Sequence, residues 1–379
     1  MTKSPLFRLT SVLLLTLPAA CTAPRSEQAV GSKASVAEFD CATSADTRIQ
    51  EMNDDGIGRA STLGLASGRY ALPADPAPTQ MVVMFHGNHN DSCSWRRHLQ
   101  QAAARGAVSI AMDYTGQRTE GRTANYGWFV REGAADSIAA AKYFLAKYPT
   151  ITRVIAFGVS MGGNASGMAV ASADAVRADG TPLFDYWVDV EGANNLIEEY
   201  SIIRAVAPGV GDAKVAQAEI EEEAGGPIEE RYQDYFDLTN LYRVPDMKLK
   251  GAVIVNGLDD GLVSTTQSPE MAAALNAKSI PAHLFTVLLR GSTESGGTVT
   301  GNFVLGPTGA ASPVYPAVSG GETYESPLAG HGWEGSDTQL VIKTGFDQLW
   351  QLMSGCTVSA DETVVASDQA EINNTNCAN

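Results

Sequence analysis

The sequence predicts an α/β fold in which a mainly parallel central sheet carries helices on both faces. Three observations predict it. Short apolar, β-branched runs alternate with segments of helical periodicity along most of the chain, the pattern of successive strand–helix–strand crossovers. Several runs are apolar without a break, as in Met81-Val-Val-Met-Phe85, which marks strands buried on both faces. One run, from Arg153, leads straight into Gly158-Val159-Ser160-Met161-Gly162, a serine between glycines at a strand-to-helix junction.

The elements follow in order. Gly68–Pro73 is an early edge strand, closed by the Pro-rich stretch to Pro78. The strand 81–85 ends at His86-Gly87-Asn88, and a helix is expected over 94–104. Val108–Met112 is the next strand, ending at Asp113-Tyr114-Thr115-Gly116, and a helix over 132–147 closes before Pro149. The strand 153–158 feeds a helix over 161–173. Strands at 184–190, 251–255 and 283–289 complete the sheet, with helices over 268–277 and 337–353 between and after them. Two insertions break the alternation. Residues 193–248 read as a helical cap, whose carboxylates Glu219 to Glu223, Glu229 and Glu230 are expected on a solvated face. Residues 291–327, rich in Gly, Ser, Thr and Pro, read as an irregular excursion.

The ends are expected to differ from the domain. Lys3 and Arg8, the apolar run Leu9–Leu17 and the small residues before Cys21 make residues 1–20 a signal peptide, so the protein is expected to be exported. Ala19-Ala20-Cys21 resembles a lipoprotein cleavage site, although Pro18 stands where an aliphatic residue is usual. Lipidation of Cys21, anchoring the protein to a membrane, and plain secretion both stay open. Residues 21–66 read as an N-terminal tether and 356–379 as a C-terminal tail, which leaves 67–355 as the domain. Beyond Cys21 there are four cysteines, Cys41, Cys93, Cys356 and Cys377, an even number in an export context. Two disulfides are expected, in one of three pairings. Acidic residues exceed basic ones, 43 against 26, for a formal charge of −17. Such a surface repels phosphates, so nucleic acid is excluded as a partner.

The turn around Ser160 suits nucleophilic chemistry. The serine heads a helix, whose free N–H groups and positive dipole end face any negative charge formed there. A serine hydroxyl needs a base, and the base needs an orienting group. The chain has five histidines. His86 sits beside a glycine on a strand-ending loop, where it suits shaping that loop. His89 and His98 follow it closely, and His283 opens a strand, at the wrong edge of the sheet. His331, flanked by Gly330 and Gly332, follows the last strand and is the expected base. The orienting acid is sought after a strand between the two. In Gly257-Leu-Asp-Asp260-Gly-Leu-Val263 the spacing favours Asp260, with Asp259 a loop-capping residue; Asp189 and Glu191, after the preceding strand, are weaker candidates.

At these positions the sequence resembles the α/β-hydrolase family, over roughly residues 67–355. The resemblance is carried by His86-Gly87, Asp113-Tyr114-x-Gly116, Gly158-x-Ser160-x-Gly162, Gly257-x-x-Asp260-x-x-Val263 and Gly330-His331-Gly332. It implies a catalytic triad of Ser160, Asp260 and His331. It also implies an oxyanion hole made by the backbone N–H groups of Met161 and Asn88. Thr115 and Gln117 depart from the form usual in the secreted peptidase and esterase-like branches. The implied activity is that of a serine hydrolase cleaving a small-molecule carboxylic ester through an acyl-enzyme, without cofactor or metal; a serine peptidase or amidase is the alternative. The dinucleotide pattern G-x-G-x-x-G is absent, and His86-x-x-His89 lacks the helical frame of a zinc site.

Overall fold

A computed structural model describes residues 49–53, 60–61, 64–116, 127–208, 211–258, 260, 262–288, 314–316, 323–325, 331 and 340–365. These residues all fall within one compact unit, Ala45–Asn379. Its strands begin with β1 (Ile49–Asn53), β2 (Ala60–Ser61), β3 (Gly64–Leu65), β4 (Ser67–Ala71), β5 (Gln80–Phe85), β6 (Ala107–Met112) and β7 (Arg153–Val159). They continue with β8 (Tyr186–Val190), β9 (Gly251–Gly257), β10 (Ala282–Val287), β11 (Val314–Pro316), β12 (Thr323–Glu325) and β13 (Glu362–Val365). The helices are α1 (Arg96–Ala104), α2 (Val130–Lys147), α3 (Met161–Ala171), α4 (Leu196–Val206), α5 (Gly211–Ala224), α6 (Ile228–Leu238), α7 (Asn240–Arg243), α8 (Gln267–Ala277) and α9 (Leu340–Met353).

Among the described residues nine strands form one sheet, in the order β1-β4-β6-β5-β7-β8-β9-β10-β13. Every pairing from β6 to β13 is parallel, while β1 and β4 pair antiparallel at one edge. The mainly parallel α/β sheet is therefore as the sequence implied. The unbroken apolar runs divide by alternation. Met81, Val83 and Phe85 of β5 join the core under α2, α3 and the insertion, and Val82 and Met84 join the core under α1 and α9. Both faces of a parallel strand are thus removed from water, which is why no polar alternation shows in the sequence.

Three expectations are corrected. The tether 21–66 is not featureless: β1 pairs with β4 from Ile49↔Ala71 to Asn53↔Ser67 and forms the sheet edge. The tail 356–379 supplies β13, which pairs in parallel with β10 from Leu284↔Glu362 to Val287↔Val365 at the opposite edge. Both segments are short and weakly patterned because an edge strand needs one neighbour and little burial. The strand expected from Phe184 begins at Tyr186, since Asp185 is diverted to other work. Its carboxylate accepts the Val154 N–H at 2.8 Å and pairs with Arg177 at 2.7 Å.

The insertion 193–248 folds as α4, α5, α6 and α7. It is fastened to the sheet's helix layer by Asn240, whose Nδ2 donates to Gly163 O at 3.3 Å and to Asn164 O at 3.0 Å on α3. In the excursion 291–327, β11 and β12 pair as a short antiparallel ribbon, and the remainder lies outside the described residues. So do residues 1–48, with the expected signal peptide and Cys21.

Candidate active site

Ser160 stands between β7 and α3 with φ 57° and ψ −126°, in the left-handed half of backbone space where a non-glycine residue is strained. Its neighbours explain how the turn is held. Its N–H donates to Val190 O at 3.0 Å, and its carbonyl accepts the Gly163 N–H at 2.8 Å. A Cβ on Gly158 would stand 2.2 Å from Gly162 O, and one on Gly162 would stand 2.1 Å from Phe85 O. Glycine at 158 therefore lets α3 lie directly against β7, and glycine at 162 lets it lie against the end of β5. Met161 opens α3, so its N–H is among the four that a helix leaves without an internal partner.

The end of β5 carries the other half of the site. His86 is fully buried, its ring stacked on Tyr114 at 3.9 Å between centroids, and the Tyr114 hydroxyl donates to His86 O at 3.0 Å. That is the loop-shaping position expected of it. Asp113 braces the same loop: its Oδ1 accepts the Ser92 N–H at 3.0 Å, and its Oδ2 accepts the Ser67 hydroxyl at 2.9 Å. Asn88 follows, and its Nδ2 donates to Glu219 Oε2 at 2.7 Å. His89, at φ 61°, brings Nε2 to 3.0 Å from Glu219 Oε1.

His331 is 3% exposed, and its Nδ1 lies 2.8 Å from Asp260 Oδ2. The other Asp260 oxygen accepts the N–H groups of Leu262 and Val263 at 2.8 and 3.0 Å. That turn fixes the carboxylate after β9. Asp259, Gly330 and Gly332 lie outside the described residues. His331 and Ser160 belong to the same end of the sheet. The Ser160 N–H is bonded to Val190, and the next residue, Glu191, brings Oε2 to 3.6 Å from His331 Nδ1.

The remaining histidines are occupied elsewhere. His98 stacks on Phe346 at 3.7 Å in the core, where burial, and then Arg97, hold its pKa down to about 3. His283 lies in β10 with Nε2 2.8 Å from Thr363 Oγ1 of β13, and burial lowers its pKa too. Asp189 is engaged by Asn194 Nδ2 at 2.5 Å, and burial pushes its pKa up to about 7.

Two carboxylates near the site escaped sequence reading. Glu199, on α4, is 3% exposed and accepts Gln267 Nε2 at 2.9 Å. Burial, and then the charge of Asp260, push its pKa up to about 8, so it is mostly protonated at neutral pH. Glu219 corrects the expectation of a solvated acidic face: it is 1% exposed and turned toward Asn88 and His89, whereas Glu222 is exposed. The signal for it was its neighbour, since Ile220 alone interrupts the acidic run Glu219 to Glu223 and is itself buried. Glu191, Asp260 and His331 also bring one donor atom each within 4.8 Å of one another, the grouping among the described residues that comes close enough to hold a cation.

The model of the alpha/beta hydrolase family matches residues 82–298, more than half of the chain. Among curated proteins, none matches the sequence. Solved structures give fold likenesses. An acylaminoacyl peptidase of Pyrococcus horikoshii is 16% identical with a TM-score of 0.46, over 63% of this chain and 37% of its own. An esterase of Thermogutta terrifontis with butyrate bound is 18% identical with a TM-score of 0.45, over 63% of this chain and 83% of its own. A puromycin-hydrolyzing peptidase of Mycobacterium tuberculosis is 18% identical with a TM-score of 0.49, over 86% of this chain and 42% of its own. The chain thus spans well under half the length of either peptidase.

Proposed function

Since the chain belongs to the alpha/beta hydrolase family, we propose that it is an exported serine hydrolase that cleaves carboxylic esters of small molecules. Ser160 is the nucleophile, His331 the base and Asp260 the acid that orients it. The observation that carries this reading is the 2.8 Å contact from His331 Nδ1 to Asp260 Oδ2. It turns the imidazole so that Nε2 is the nitrogen left for the serine.

His331 Nε2 takes the Ser160 proton as the hydroxyl oxygen attacks the carbonyl carbon. The oxyanion accepts the N–H groups of Met161 and Asn88, two donors that together lower the barrier by a few kcal/mol. His331 then protonates the leaving alcohol. Water enters and gives one proton to His331 as its oxygen attacks the acyl carbon; the bond to Ser160 Oγ then breaks, His331 returns the proton to Oγ, and the acid is released. No step calls for a metal or a cofactor.

The test is covalent labelling with a fluorophosphonate probe. Wild-type protein labels and Ser160→Ala does not; full labelling of that variant removes Ser160 as nucleophile. Turnover of p-nitrophenyl esters against aminoacyl anilides sets the leaving group. Turnover of the anilides alone reverses the choice in favour of a peptidase or amidase.

The export reading rests on residues 1–20, and the intact mass of the mature protein tests both cleavage and lipid on Cys21. Two disulfides are part of this proposal; of their four cysteines, Cys93 and Cys356 are buried. Cys41 and Cys377 lie outside the described residues. A mass 4 Da below the fully reduced value is the expectation.

A further inference from the structure

We propose that Glu191 is a second positioning carboxylate for His331, sharing the Nδ1 side of the imidazole with Asp260. The inference rests on the reading of Ser160 and His331 as nucleophile and base. A triad of this kind needs one acid, and Asp260 already fills that place. Glu191 arrives by another route. It follows β8 directly, is 1% exposed, and holds a backbone φ of 52°. A non-glycine residue in that region is strained. The strained backbone is held in place, since the Glu191 N–H donates to Val255 O at 2.7 Å.

The side chain is divided between two tasks. Oε1 accepts the Gly257 N–H at 3.1 Å, at the end of β9 and three residues before Asp260. Oε2 lies 3.6 Å from His331 Nδ1, the nitrogen that Asp260 Oδ2 meets at 2.8 Å. Glu191 therefore ties the strand that delivers Asp260 to the ring that Asp260 orients. Three carboxylates come to this place from three elements: Glu191 from β8, Asp260 from the loop after β9, and Glu199 from α4. Glu199 is the one that burial and Asp260 keep mostly neutral at pH 7. Glu191 is the second carboxylate whose oxygen comes close to Nδ1. It stabilises the imidazolium formed as Ser160 attacks, and it accepts the Nδ1–H hydrogen bond if Asp260 is lost.

The experiment compares Glu191→Gln, Asp260→Asn and the double variant by pH profile on a p-nitrophenyl ester. Glu191→Gln keeps an oxygen for the Gly257 N–H but removes the charge. Its kcat is expected to fall about 3–10-fold with KM unchanged, and the acidic limb of kcat/KM to move down by about half a unit to one unit. A merely structural role leaves that limb where it was. In a single-acid triad, changing the acid to its amide costs about 10⁴ in kcat. Here Asp260→Asn is expected to lose only about 10²–10³, and the double variant at least about tenfold more. Should Glu191→Gln fail to fold, Asp260→Asn decides alone. A loss near 10⁴ overturns the proposal, as does a double variant equal to Asp260→Asn, or a Glu191→Gln profile that overlays wild type. Fluorophosphonate labelling of wild type runs in parallel. Absent labelling sinks the nucleophile reading itself, whereas normal labelling with an unshifted Glu191→Gln sinks the role of Glu191 alone.

Discussion

Gly162 shows how little room the elbow leaves. Its missing side chain is what allows the first turn of α3 to meet the carbonyl of Phe85, at the root of the loop that bears Asn88. Both proposed oxyanion donors depend on that approach, Met161 on one side and Asn88 on the other. A Cβ 2.1 Å from a backbone oxygen has no flexible neighbour to push aside. Gly162→Ala is therefore expected to lower stability by about 1–3 kcal/mol or more, and to reduce fluorophosphonate labelling in whatever folded protein remains. Thermal melts and labelling together check this. A variant with the wild-type melting temperature and full labelling contradicts the steric account. The pattern Gly-x-Ser-x-Gly was legible in the sequence because this constraint is local: it needs only the residues on either side of the turn and the strand beside it.

The insertion between β8 and β9 acts on the site through single side chains. From α5, Glu219 holds Asn88 and His89 at once, and from α4, Glu199 is held by Gln267 at the start of α8. Asn88 can offer its backbone N–H to an oxyanion only if the loop 86–90 keeps its turn, and Glu219 is the buried group that holds it from outside. Glu219→Ala is expected to lower kcat about tenfold or more, with a smaller change in KM, since a misplaced donor is felt mainly when the oxyanion forms. Steady-state kinetics on a short ester checks it, and an unchanged kcat would separate the cap from the loop. These two residues were hidden in the sequence. A carboxylate run on a helix reads as solvated, and only the packing of α5 against the β5 loop turns one of its members inward.

Across the molecule, buried ionisable groups set how stability follows pH. The Asp189 carboxyl has a pKa pushed from the usual 3.8 to about 7 in the folded protein. Between those values the folded state holds a proton that the unfolded chain has released, so this group's contribution falls as pH rises from about 4 to 7. Glu199 acts in the same sense up to about pH 8. His98 acts in the opposite sense. Its pKa is held down to about 3, so the unfolded chain takes the proton first and stability is lost as pH falls below about 6.5. Asp189→Asn is expected to flatten the fall in melting temperature between pH 5 and pH 7, where one such proton is worth up to about 1.4 kcal/mol per pH unit. Parallel slopes for the variant and wild type over that range would remove Asp189 as the source.

Strand order and edges mark the line between what was and was not readable. Strands β5, β7 and β9 were evident from sequence because burial on both faces demands unbroken apolar runs, and their composition records that demand directly. β1 and β13 were read as tether and tail, since an edge strand is stabilised by its partner's backbone more than by its own side chains. The sequence by itself determined the α/β class, the membership of Ser160 in a strand-to-helix turn, and the candidates Asp260 and His331. Those depend on local pattern and on chain order. Only the tertiary structure decided that Glu191 lies beside the same imidazole nitrogen as Asp260, and that Glu219 reaches the loop of Asn88. Each of those meetings joins residues far apart in the chain. Its geometry comes from how strands and cap pack, which no short stretch of residues encodes.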